Sequence, residues 1–83
     1  MDDVIQQSKD LLSYLVEKIL QKNNFTIEAQ DDDTGFSLQL KVESEDMGRI
    51  VGKKGQTAKS LRNLLSILGS KHNTKITLKI LEP

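Results

Sequence analysis

Residues 47–68 carry helical spacing that breaks once, at Gly52-Lys53-Lys54-Gly55. Two glycines three positions apart allow backbone torsions that a side chain forbids. The chain therefore turns sharply here, between two helices. Before the break, residues 47–51 leave room for only a turn or two of helix. After it, Ala58, Leu61, Leu64, Leu65 and Leu68 mark a buried stripe, and Gly69 reads as the stop just past the helix end.

The rest of the chain has a different rhythm. Phe25, Ile27 and Ala29 alternate with Thr26, Glu28 and Gln30. After Asp31-Asp32-Asp33-Thr34-Gly35, Phe36, Leu38, Leu40 and Val42 alternate with Ser37, Gln39, Lys41 and Glu43. Two period-two runs joined by a short Asp/Gly loop predict a β-hairpin with one wet face. Ile76, Leu78 and Ile80 alternate with Thr77, Lys79 and Leu81 as a last strand, after a loop over residues 70–74.

Upstream, the spacing predicts a helix over residues 3–22. Val4, Ser8, Leu11 and Leu15 form one row, and Ile5, Leu12, Val16 and Ile19 the next. Asp2 and Asp3 at its start and Lys18 and Lys22 at its end suit the helix macrodipole, and Asn23-Asn24 stops it. Ser44-Glu45-Asp46 offers caps for the short helix.

The order is α-β-β-α-α-β. The hairpin strands are antiparallel, and the last strand, returning after a helical crossover, is parallel to the second. The expected fold is an α/β (α+β) two-layer sandwich, a three-stranded mixed sheet with helices on one face. At 83 residues it is one domain, 1–83. Its βααβ core spans about residues 36–81, preceded by the helix and by a strand over about residues 25–30.

Charge separates along the chain. Residues 1–46 hold 11 acids and four lysines, hence −7, and residues 47–83 hold one acid and eight bases, hence +7. Such asymmetry suggests an anionic partner for the C-terminal half; a dipolar, solubilising surface is the alternative. The absence of cysteine excludes a disulfide framework and a thiolate metal site. The lone His72 excludes a multi-His metal site and leaves little room for a Ser-His-Asp triad. The longest uncharged run, residues 63–70, is eight residues, against about 20 for a membrane span. Met1-Asp2-Asp3 is acidic where a signal peptide would be basic, so the expected location is the cytoplasm, with no membrane partner. Asp31, Asp32 and Asp33 lack an EF-hand spacing and read as a polar turn. Tyr14, Phe25 and Phe36 fall on the core-facing pattern, which argues against an aromatic stacking platform. A nucleotide-binding loop needs G-x-x-x-x-G-K-[ST] after a strand, which this segment lacks. With no nucleophile–base pair, the reading is no enzyme, no cofactor and no small-molecule substrate.

What remains is the segment from Gly48 to Arg62. A glycine turn lets a ligand backbone approach closely, and the following helix presents unpaired N–H groups and its positive dipole end there. Lys53 and Lys54 add charge at the tip, and Arg49, Lys59 and Arg62 lie on the flanking helices. Each element favours a phosphodiester chain. Arg49 is equally placed to pair with Glu45 or Asp46. Arg62, about two turns along the helix, reads as peripheral. Lys71, His72 and Lys75 read as solvated.

Gly48-Arg49-Ile50-Val51-Gly52-Lys53-Lys54-Gly55-Gln56-Thr57-Ala58-Lys59-Ser60-Leu61-Arg62 resembles the core of a KH domain, with its (I/V)-G-x-x-G loop between two helices. The element order resembles the type II form. Over about residues 2–81 the chain is similar to the small single-KH bacterial RNA-binding proteins of the KhpA family. KH domains clamp about four nucleotides of single-stranded RNA at the GXXG loop. By this resemblance Gly52, Lys53, Lys54 and Gly55 match the clamping loop, and Ile50 and Val51 the apolar residues before it. Leu78 and its neighbours match the last strand, whose edge meets the bases. With Arg49, Gln56, Thr57 and Lys59 beside the loop, these make the expected RNA-binding set. The resemblance also implies a homodimer or a second KH-containing partner, RNA-chaperone or post-transcriptional activity, and a link to cell shape and division. Two functions stay open: a single-stranded RNA-binding module acting as a dimer, and an interaction subunit whose fold mainly mediates homo- or hetero-dimerisation.

Overall fold

Helix α1 (Asp2–Leu20) leads into strands β1 (Thr26–Asp31) and β2 (Gly35–Lys41). A 3-10 turn (Ser44–Asp46) opens onto α2 (Met47–Val51), a second (Lys53–Gly55) joins α2 to α3 (Gln56–Lys71), and β3 (Lys75–Leu81) closes the order. The structure, a computed structural model, describes residues 2–82; Met1, Pro83 and the side chain of Asp2 lie outside the described residues.

The expected α-β-β-α-α-β order and mixed sheet are both present. The sheet runs β1-β2-β3, antiparallel between β1 and β2 and parallel between β2 and β3. Register aligns Leu38 with Ala29 on one side and Leu78 on the other. Phe36, Leu38 and Leu40 of β2 and Ile76 and Leu78 of β3 therefore share the face that the helices cover. Leu12, Val16 and Leu20 of α1, Ile50 of α2 and Leu61 and Leu65 of α3 complete the core. No helix among the described residues is long and apolar enough to cross a membrane.

At the hairpin, Asp32 Oδ1 accepts the backbone N–H groups of Thr34 and Gly35, both at 2.9 Å. The Thr34 amide, first, and then the Gly35 amide hold the Asp32 carboxyl below its ordinary range, against the opposing effect of desolvation. The acidic run is thus built into the turn, since an aspartate can mimic a backbone acceptor two residues back.

Several details depart from the periodicity. The first helix ends at Leu20 rather than residue 22, because Gln21 takes a left-handed φ of 60° while its N–H still reaches Glu17 O. Lys22 is therefore outside the helix and serves no dipole. Tyr14 is 60% exposed, not core-facing, with Lys18 Nζ 5.4 Å from its ring centre. Leu64 is 43% exposed: one position from Leu65 means about 100° around the helix, and the inward face is narrower than the apolar stripe. Helix packing reaches only the first residues of β1. Phe25 and Ile27 are half-buried and Ala29 is exposed. Ser44-Glu45-Asp46 supplies no side-chain cap but forms its own 3-10 turn.

Gly69 is not a stop. Helix α3 continues past it to Lys71, and Gly69 is buried where the chain doubles back. A Cβ there would lie 2.3 Å from the Thr74 carbonyl and 3.1 Å from Ile76 Cγ1. Replacing a mid-helix glycine by alanine ordinarily stabilises by up to about 1 kcal/mol. Here the contact is with backbone, so Gly69→Ala is expected to destabilise by about 1–3 kcal/mol, the usual cost of overpacking. Urea denaturation checks this: a midpoint equal to or above the parent's would contradict it.

Candidate nucleic-acid interface

Helix α2 is stopped by Gly52, whose N–H still bonds Gly48 O at 2.9 Å. Gly52 has φ 77° and ψ 174°, a region that essentially only glycine enters. It is also crowded. A Cβ would sit 2.3 Å from Thr57 Oγ1 and 2.9 Å from Thr57 N. Thr57, half-buried, is the floor on which the turn rests.

Lys54 follows with a left-handed φ of 54°, and Gly55 with φ 74°. The Gly55 N–H closes the turn on Gly52 O at 3.2 Å. Lys53 and Lys54 are both exposed. The Gln56 N–H that opens α3 is taken by Lys53 O, and Gly55 caps the helix without any side-chain hydrogen bond, so no side chain from the cap competes for the N–H groups that follow.

The expected site residues divide by burial. Arg49, Lys53, Lys54, Gln56 and Lys59 are exposed, and Val51, Gly52, Gly55 and Thr57 are half-buried. Ile50 is fully buried in the core and Leu78 is 4% exposed, so neither side chain faces outward. What β3 offers at Leu78 is its free edge, because β2 pairs only one side of it. Arg62 reaches that edge: its Nε donates to Leu78 O at 3.4 Å. The sequence reading left Arg62 at the periphery, yet Gly55, Lys59 and Arg62 stand at i, i+4 and i+7, the spacing of one helix face. That spacing was the available signal.

Arg49 does not pair with Glu45 or Asp46. Among the described residues those acids face Lys22, whose Nζ lies 3.1 Å from Asp46 Oδ1 and 3.4 Å from Glu45 Oε1. The hydrogen bond to Asp46 raises the Lys22 ammonium above its ordinary pKa, against the pull of desolvation. From α2 through α3 there is no acidic residue at all. The two nearest acids before the turn are thus drawn toward a lysine on another element, and neither is paired with a base of the turn among the described residues.

A sequence model of the KhpA/KhpB KH-domain family matches residues 9–80. This chain belongs to that family. The match takes in α2, the glycine turn, α3 and nearly all of β3. Curated relatives named RNA-binding protein KhpA agree over almost their whole length. The Listeria monocytogenes (serovar 1/2a) protein is 38% identical over 72 residues, covering 87% of this chain and 95% of the relative. The Chlamydia trachomatis protein is 36% identical over 76 residues, 89% of this chain and 96% of the relative. The Treponema pallidum protein is 29% identical over 80 residues, 95% of this chain and all of the relative. A KhpA/KhpB-family domain is therefore present here with a half-buried glycine turn whose two lysines are exposed and whose following helix has no side-chain cap.

Proposed function

We propose that this chain is a cytoplasmic single-stranded RNA-binding protein that holds the RNA backbone on the turn at residues 52–55. It acts as a dimer in RNA-chaperone or post-transcriptional work, by binding rather than catalysis. The observation that carries this reading is the pairing of two exposed lysines with a helix start that no side chain caps, in a turn entered at Gly52, which is too crowded to accept a side chain. Helix N-termini and lysines each favour phosphate oxygens. Relatives named for RNA binding support the same choice. Strand β3 has an unpaired edge at Leu78, where Arg62 also reaches, and this edge is the candidate surface for a base.

The footprint is small. Lys53, Lys54, Arg49 and Lys59 are the candidate phosphate contacts, and single-strand binding loses affinity with a log–log salt slope of roughly −0.7 per phosphate. The expected slope for one domain is therefore on the order of −2 to −3. Titrating a labelled oligo-RNA across salt concentrations measures it, and a slope near zero removes the clamp.

One observation favours the interaction reading alongside. Leu64 and Ile67, three positions apart on α3, are 43% and 58% exposed, side by side on one helix face. A second copy of this chain covering them would join two weak RNA sites, and linked sites gain affinity without new contacts. Size-exclusion chromatography with light scattering, with and without a short RNA, separates the readings. A monomer that binds RNA leaves the first alone; a tight dimer indifferent to RNA puts the second ahead.

A further inference from the structure

Asp46 immediately precedes α2 and is only 3% exposed. An aspartate in that position ordinarily caps the helix, and this one makes no cap bond. Its Oδ1 meets Lys22 Nζ at 3.1 Å, and its Oδ2 is buried with no partner among the described residues. Lys22 comes from the loop just after α1. A second contact ties the same two loops, Asn24 Nδ2 to Glu43 Oε1 at 3.5 Å.

Such an arrangement is a poor source of stability, because removing a carboxylate from water offsets most of the attraction that a buried pair gains. What it supplies is geometry. Helix α2 has five residues and one fully buried side chain, Ile50. So short a helix cannot fix its own direction, since helices of this length are not stable by themselves. Its far end is Gly52. Gly52 rests on Thr57 of α3, and the hold on the near end is the other constraint on where the turn points.

We propose that Lys22 and Asp46 are positioning residues for RNA binding: their contact, between the end of α1 and the start of α2, fixes the orientation in which α2 presents the turn at residues 52–55. The proposal rests on the reading of that turn as the RNA clamp. Neither residue touches the RNA. If breaking the tie lowers the competent fraction to about a tenth, apparent affinity falls about tenfold.

Charge alone gives a different result. Lys22 is a cation and Asp46 an anion, so removing each would shift affinity for a polyanion in opposite directions. Positioning shifts both the same way. Lys22→Met, Asp46→Asn, the double variant and Lys22→Arg are titrated with a labelled oligo-RNA well below their melting temperatures. The Gly52 and Gly55 amide resonances of each free protein are recorded. The expected result is about tenfold weaker binding for each single variant, no further loss in the double variant, recovery in Lys22→Arg, and displaced Gly52 and Gly55 resonances. Asp46→Asn keeps the side-chain shape and carries the test if Lys22→Met fails to fold. Unchanged or tighter binding by Asp46→Asn overturns the proposal, as do lower melting temperatures with unmoved glycine resonances. Lys53→Asp/Lys54→Asp is titrated in parallel. If it still binds, the clamp reading falls instead, and the glycine resonances alone then decide whether the tie orients the turn.

Discussion

Lys53→Asp/Lys54→Asp is expected to abolish RNA binding while melting like the parent protein. The fold gives no reason for failure. Both positions are exposed, and exposed substitutions usually shift stability by only about half a kcal/mol. Carboxylates beside the start of α3 suit the positive end of its dipole. Aspartate also tolerates the left-handed conformation of residue 54 better than lysine does. Binding fares differently. Two attractive contacts, each worth about 1.5–3 kcal/mol when charge-assisted, become repulsive, and micromolar affinity is only about 8 kcal/mol in all. Circular dichroism melting and fluorescence anisotropy with oligo-RNA read the two halves. Parent-like affinity in this variant rules out the turn as the clamp. A simultaneous loss of dimer would make the turn part of a protein interface as well.

The second large effect is on folding. Gly52→Ala puts a methyl group 2.3 Å from Thr57 Oγ1, at a backbone conformation with φ 77°. Strain at such a backbone costs on the order of 1–3 kcal/mol, and forcing the methyl group against Thr57 adds about 1–3 kcal/mol. A domain of this size holds roughly 5–15 kcal/mol in total, and each kcal/mol lowers the melting temperature by about 4–8 °C. A drop of more than about 10 °C is expected. Gly55→Ala is the internal control. It shares a left-handed φ, 74°, but a Cβ there meets nothing within 4 Å, so it carries the strain without the collision. If the two variants melt together, Thr57 is not the floor of the turn.

Much of this was legible beforehand, for a physical reason. Phe36, Leu38 and Leu40 alternate because a strand turns a side chain every other residue toward the core. Leu12, Val16, Leu61 and Leu65 recur every four because a helix does so at its own pitch. The glycine turn showed itself by interrupting one of those rhythms. What the rhythm lacks is width. It cannot say that Leu65 is covered and Leu64 is not, or that Tyr14 points to solvent, because that depends on how far a neighbouring element extends. Nor does it register partners distant in the chain. Lys22 looked like the end of a helix and Asp46 like the cap of another, and only folding brings them to 3.1 Å. Arg62 is a similar case: its bond to Leu78 O depends on β3, which the sequence orders but does not place.

The parallel pairing of β2 and β3 has a kinetic side. Parallel neighbours cannot be joined by a tight turn, so everything between Lys41 and Lys75, including α2, the glycine turn and all of α3, is the connection itself. The sheet cannot acquire its third strand until that connection has crossed the face and returned. Loop closure of this kind must precede its reward, which slows folding. It also means that the lysine-tipped turn precedes in the chain the strand edge that Arg62 reaches. A nascent fragment that ends before β3 therefore has an incomplete sheet and lacks the strand edge to which Arg62 donates.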